Sequence, residues 1–300
     1  MKTILRTFVG CTAILFGTAC MGAVKYVPEN MKVELSLKVP GNNAVNYKLH
    51  PDKLENSYFD YEWRSDNKLP ITVFHKVEER DSCMRLTVQL TAAQDVYFNY
   101  RQLLSTGYRH DNCQFYMPGF WYRRNLRSPK KAPSFHTSDS WLVREDRLSA
   151  PLTGIFSEKE KRFMTVNRLD DFSMDALATH KEGEIILSGK TSLGFTGFEN
   201  QQGIAMLSFG FPYREAPKSY IRKLTLAPEV EAFQLMKKGE SVLLTWEIME
   251  SGADDFSDFI QHTWEHCYDT YAPKPVENSY SIADMKQVLS CFFVNSLVDN

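Results

Sequence analysis

Met31-Lys32-Val33-Glu34-Leu35-Ser36-Leu37-Lys38-Val39 decides the fold class. Val33, Leu35, Leu37 and Val39 fall on one face of an extended chain, and Lys32, Glu34, Ser36 and Lys38 on the other. This period-two alternation is that of a half-buried strand. Pro40-Gly41-Asn42-Asn43 then breaks it with turn-forming residues. The alternation returns at 84–91, where Met84, Leu86, Val88 and Leu90 face inward. Further strand candidates are 58–63, 71–77, 95–103, 114–122, 140–144, 152–156, 163–167, 184–188, 192–196, 205–211, 220–226, 231–236 and 241–250. Ser157-Glu158-Lys159-Glu160-Lys161-Arg162 joins two of these as a polar hairpin loop, and Lys237-Lys238-Gly239-Glu240 suits a second hairpin turn. Strands at this spacing, with no helices between them, imply antiparallel sheets packed face to face. Roughly fifteen strands exceed a small immunoglobulin-like domain, so the expected fold is mainly β, a large two-sheet antiparallel β-sandwich.

The character changes at Ser251-Gly252-Ala253-Asp254. Asp254 or Asp255 can cap a helix carrying Phe256, Phe259, Ile260, Thr263, Trp264, Cys267, Tyr268 and Tyr271 at helical spacing. Pro273 and Pro275 end it. Ser281 can cap a second helix, with Asp284 as its capping-box partner. The run 282–298 is apolar, and Val288, Leu289, Phe292, Phe293 and Leu297 need a surface to pack against. The expected organisation is a sandwich over 24–252, a linker helix over 253–276 and the start of a helical domain over 277–300, whose remainder would follow Asn300.

Residues 1–23 read as an export signal. Lys2 and Arg6 supply the positive end, and a short apolar stretch from Thr7 to Gly17 is too interrupted to span a bilayer. Cleavage after Ala19 or Ala23 gives a soluble periplasmic or secreted protein. Cleavage before Cys20 gives a cell-surface protein whose membrane contact is a lipid anchor at Cys20, although Gly17 is a poor residue three positions ahead of it. The chain carries 35 basic and 37 acidic residues, a net charge of −2. Losing Lys2 and Arg6 with the leader leaves 33 against 37, or −4. That balance argues against nucleic acid as a partner, which would demand a basic excess. Beyond the leader, Cys83, Cys113, Cys267 and Cys291 match no metal-ligand spacing. Cys83 and Cys113 could pair in an exported chain, and buried free thiols are the plainer reading. No cofactor is expected: the chain has no P-loop, no dinucleotide-binding glycine pattern and no G-x-S-x-G.

Export signal, large sandwich, connecting helix with Trp264 and Tyr271, proline-containing linker and the onset of helices together resemble a known arrangement. Glycoside hydrolases, phosphorylases and some polysaccharide lyases place such a β-supersandwich before an (α/α)6 toroid. The resemblance is one of architecture. It implies a glycoside hydrolase-like, carbohydrate-active protein with a glycan or oligosaccharide and its own C-terminal helical domain as partners. In those families the catalytic carboxylates usually lie in the toroid, so no catalytic residue is assigned here.

The densest functional stretch is Phe115-Tyr116-Met117-Pro118-Gly119-Phe120-Trp121-Tyr122-Arg123-Arg124-Asn125, followed by a long polar loop to Ser140. Sugars are bound by aromatic faces against their C–H patches and by planar or charged groups at their hydroxyls. Trp121 and Tyr122 could supply the first kind of contact, and Arg123, Arg124 and Asn125 the second. His136, Asp139 and Trp141 stand at the far end of the loop. Pro118-Gly119 would bend the strand and admit a ligand. The same residues suit a plainer role, with aromatics in the core and arginines in structural ion pairs. His262-Thr263-Trp264-Glu265-His266 matches H-x-x-E-H, in which His262 and His266 could hold zinc beside Glu265. A connecting helix with a buried Trp264 face explains that segment without metal. Asp170-Asp171 and Asp254-Asp255 suit turns and caps better than acid catalysis or calcium.

Overall fold

The alternation at the start of the chain produces strand β1 (Met31–Lys38), in which Val33 and Leu35 are fully buried. The computed structural model describes residues 27–80, 83–127, 133–170, 183–216, 229–273 and 281–297. The leader with Cys20, the strand candidate 220–226 and Asp171 lie outside the described residues. One unit extends to Ile260 and a second begins at Gln261.

Seventeen strands occur among the described residues, hydrogen-bonded into one continuous, largely antiparallel sheet. The sheet folds over into two layers. In the first, β2 (Val45–Lys53), β1, β6 (Val96–Arg109), β14 (Ile204–Phe211), β13 (Phe195–Gln201) and β9 (Trp141–Arg144) lie side by side. In the second the order begins with β3 (Tyr61–Arg64), β4 (Ile71–Glu79), β5 (Cys83–Ala92) and β17 (Ser241–Gly252). It continues through β11 (Arg162–Arg168), β10 (Leu152–Ser157), β7 (Cys113–Met117) and β8 (Trp121–Arg123). The layers join at β2, whose first half pairs with β1 and whose last four residues pair with β3. A small flap of β15 (Arg214–Glu215), β16 (Val230–Met236) and β12 (Gly183–Ile186) hangs from the start of β6. Its β12–β16 pair is parallel.

The layers face each other across one apolar core holding Leu35, Phe98 and Phe209 from the first and Val88, Phe115 and Ile248 from the second. Each such side chain contributes about 1.5–3 kcal/mol of burial. Contacts across the gap fix the pairing of layers. Phe115 stacks on Phe198 at 3.9 Å, Phe209 meets Trp246 at 5.3 Å, and the Thr196 hydroxyl donates to Thr153 at 2.8 Å. The expected sandwich is therefore present as a single folded-over sheet.

Three local expectations are corrected, and one strand was not among them. Strand β2 was not visible in the sequence, because only Leu49 of its nine residues is buried and Pro51 interrupts it. The candidate at 192–196 forms as Phe195–Gln201, set by pairing with β14 and β9. The turn at 237–240 exists, with Glu240 N–H donating to Lys237 O at 2.9 Å, but it is not a hairpin turn: β16 lies in the flap and β17 in the second layer. The candidate 114–122 is not one strand but the tight hairpin β7–β8. The loop at 157–162, in contrast, does close a hairpin, with Ser157 opposite Arg162.

Helix α1 (Phe256–Tyr271) starts in the first unit. Asp255 caps it, its Oδ1 accepting from the N–H groups of Ser257 at 2.7 Å and Asp258 at 3.0 Å. Phe259 is buried on the outer face of the second layer, parallel to Phe156 at 6.0 Å and 4.9 Å from Phe163. The remainder of α1 and helix α2 (Ile282–Leu297) belong to the second unit. The capping box expected at α2 forms: Ser281 N–H donates to Asp284 at 2.9 Å, and Asp284 N–H to Ser281 Oγ at 3.1 Å. No helix among the described residues is long and apolar enough to cross a membrane.

Candidate functional site

The β7–β8 hairpin reverses at Met117-Pro118-Gly119-Phe120, where Phe120 N–H donates to Met117 O at 2.9 Å. Gly119 has φ +80°, and a Cβ there would lie 2.8 Å from Ser149 Oγ, so the reversal needs glycine. The register sets Met117 opposite Trp121 and Tyr116 opposite Tyr122. Strand alternation therefore drives Trp121 inward and Tyr122 outward. Beyond Tyr122 the chain turns sharply, with Arg123 at φ +57° and Asn125 at φ +49°. Left-handed backbone at non-glycine residues costs of order 1 kcal/mol and is held only where surroundings enforce it. Here Asn125 enforces it, with its Oδ1 accepting from Tyr122 N–H and its own N–H donating to Tyr122 O, both at 3.1 Å.

This turn forms one wall of an open groove of about 650 Å³. Tyr122, Arg123, Arg124 and Asn125 line it together with Gln114, Leu126, Arg127 and Glu158. Tyr122 is 52% exposed, and its hydroxyl accepts from Gly119 N–H at 3.2 Å, which fixes the ring's tilt. Arg124 is a structural brace as well as a lining group. It donates to the backbone oxygens of Cys113, at 3.0 Å, and Asp111, and lies over the Phe135 ring. Arg123 lies over the Phe256 ring at 5.2 Å. Glu158, from the β10–β11 hairpin, accepts from Gln114 and stands 3.7 Å from Arg124.

The eight residues expected to bind a ligand separate into four groups. Tyr122, Arg123, Arg124 and Asn125 come together in the groove. His136 is exposed beside it, its ring 3.3 Å from the backbone oxygen of Leu126. Asp139 is turned elsewhere and accepts from Asn200 at 2.6 Å. Trp121 and Trp141 are 0% exposed, which corrects the expectation that they stack on a ligand. Their rings lie 5.5 Å apart in the core, and their N–H groups donate to Arg123 O at 2.8 Å and Ser138 O at 3.0 Å. Gln114, Arg127 and Glu158 were missed. Arg127 belongs to the densest basic run of the sequence, whereas Glu158 arrives from a distant hairpin and left no local signal.

Behind the groove, burial pushes the Cys113 thiol up to about 12, so it stays protonated. Cys83 and Cys113 are buried free thiols, as the plainer reading of their spacing held. Asp170 braces strands, accepting from Arg168 and from Thr245 N–H, each at 2.9 Å. His262, Glu265 and His266 lie along α1, where Gln261 donates to Glu265 at 2.8 Å.

A second groove, about 530 Å³, lies between the first layer and the flap. Its arginines are matched internally: Arg101 with Glu34 and Glu199, and Arg214 with Glu231. In the first groove, by contrast, Arg123 and Arg127 form no ion pair among the described residues, and Glu158 is the one carboxylate. That groove offers an aromatic face, planar cations and an amide, a set suited to holding a ligand.

No protein-family model and no curated protein matches the chain. Among solved structures it is similar to a polysaccharide lyase, with 14% identity, a TM-score of 0.35, and 78% of this chain and 27% of that one covered. A protein described as a kojibiose phosphorylase from the human microbiome gives 6% identity, a TM-score of 0.30 and coverages of 88% and 27%. An α-galactosidase from Geobacillus stearothermophilus gives 10%, 0.31, and coverages of 73% and 30%. The chain spans less than a third of the length of these structures.

Proposed function

We propose that this chain is the sandwich domain of an exported carbohydrate-active protein and holds a glycan in the groove at Tyr122. The domain itself is not catalytic; it braces a helical domain that does the chemistry. The observation that carries this reading is the exposed Tyr122 ring, tilted by its bond to Gly119 and flanked by Arg123 and Asn125 in a turn held against its backbone preference. An aromatic face with guanidinium and amide groups at its rim matches the two kinds of surface a sugar presents. A glycan-binding protein complete in itself, without the helical domain, would use the same groove.

Glycan-array screening followed by calorimetric titration tests it. The chain is expected to bind at least one glycan class, with affinity reduced roughly tenfold by Tyr122→Ala and unchanged by substitutions in the second groove. Absence of any glycan binding by the folded chain overturns the proposal. Turnover of a bound glycan overturns its non-catalytic part.

A further inference from the structure

We infer that the groove at Tyr122 selects a glycan bearing a negative charge, a carboxylate or a sulfate, and that Arg123 and Arg127 read that charge. This rests on the glycan-binding reading above and adds the class of ligand.

The groove carries cationic charge that its own residues leave unanswered. Across the chain acids outnumber bases, 37 to 35. The groove reverses that balance, with Arg123, Arg124 and Arg127 against Glu158 alone. Arg124 is committed to backbone oxygens and to Glu158. Arg123 and Arg127 are exposed and make no ion pair among the described residues. The Asp255 carboxyl, held below its usual value first by the helix N–H groups of Asp258 and Ser257 that it caps and then by the nearby Lys161 and Arg123 charges, forms no ion pair with Arg123. Stacking over Phe256 further restricts Arg123. A guanidinium held by an aromatic face loses less rotamer freedom on binding and presents its fork of donors to a planar anion. The second groove shows the alternative: there each arginine is answered by glutamate, and no cationic charge is left for an anionic ligand.

The test uses the full 300-residue chain and five probes: a neutral oligosaccharide, an oligouronide of the same length, the methyl ester of that oligouronide, a sulfated neutral oligosaccharide, and inorganic sulfate. Titrations run at low and at physiological salt. The oligouronide is expected to bind about 10- to 100-fold tighter than its methyl ester, the worth of one or two hydrogen bonds to a charged group. The gap should narrow as salt rises. Arg123→Gln and Arg127→Gln should each weaken oligouronide binding far more than ester binding and so close most of the gap. Arg123→Lys should restore part of it, because charge returns without the planar fork. A sulfated probe that binds as tightly as the uronide assigns the selection to charge in general, and one that does not assigns it to carboxylate. Equal affinity for uronide and ester, with the sulfated probe binding no tighter than the neutral oligosaccharide, overturns the inference and leaves the glycan reading standing. If inorganic sulfate binds as tightly as the uronide and ignores Tyr122→Ala, the site is an anion site and the glycan reading falls. If none of the probes binds the folded chain, both fall.

Discussion

Burial of His75 ties the stability of the sandwich to pH. The side chain sits at 0% exposure between the two layers, with its Nε2 2.6 Å from the Tyr100 hydroxyl. Burial lowers its pKa from 6.5 to about 3. The native state therefore refuses a proton that the unfolded chain accepts below about pH 6.5, and stability is lost as pH falls from there towards 3, by up to about 1.4 kcal/mol per unit. Urea midpoints measured from pH 7 to pH 4 should fall steadily, and His75→Gln should flatten the trend. Stability independent of pH over that window would show that His75 is not held neutral by the core. Gly154 is a second position where one atom matters. A Cβ there would lie 2.6 Å from Phe259 Cζ and 3.1 Å from Thr165 Cγ2. Gly154→Ala is expected to cost about 1–3 kcal/mol in denaturation, because the aromatic ring seated on β10 would have to move. A neutral substitution would mean that Phe259 is not docked there.

Elements were legible where burial is one-sided. Strands β1 and β5 alternate because one face of each lies in the core, and their ends were placed within a residue or two. The flat, mostly exposed β2 carries no such pattern, and its place at the corner depends on partners far away in sequence. Site residues followed the same division. Tyr122, Arg123, Arg124 and Asn125 were found because aromatic, cationic and amide groups crowd one stretch. What the stretch could not convey is parity: the reversal at Pro118-Gly119 decides that Trp121 turns inward and Tyr122 outward. Both helix caps were readable, since capping is set within four residues. Asp255 offers a test of that local origin. Asp255→Asn keeps an acceptor for the N–H groups of Ser257 and Asp258 and should leave stability nearly unchanged. Asp255→Ala removes it and should loosen the seating of Phe256 and Phe259, read as faster amide exchange in the first turn of α1. Equal exchange in the two variants would place the start of the helix under control of packing alone.

At the scale of the whole molecule, the groove inherits its rigidity from the core. Its floor strand β7 pairs with both β8 and β10, and Phe115 on that strand stacks on Phe198 of the opposite layer. Opening β7 alone would break two ladders and expose an aromatic cluster, so it should open only with the sandwich. Cys113, the first residue of β7, reports this directly: it is 0% exposed and its thiol is held protonated. In graded denaturant, peptide-resolved alkylation of Cys113 should rise together with the loss of the buried-tryptophan fluorescence of Trp63, Trp121, Trp141 and Trp246. The two curves should share one midpoint. A ligand bound in the groove binds only the folded sandwich, so it should shift both curves by the same amount, following the logarithm of its concentration over its Kd. Alkylation of Cys113 while the tryptophans still emit as native would show that β7 opens by itself, and that the groove is a locally mobile edge instead of part of the core.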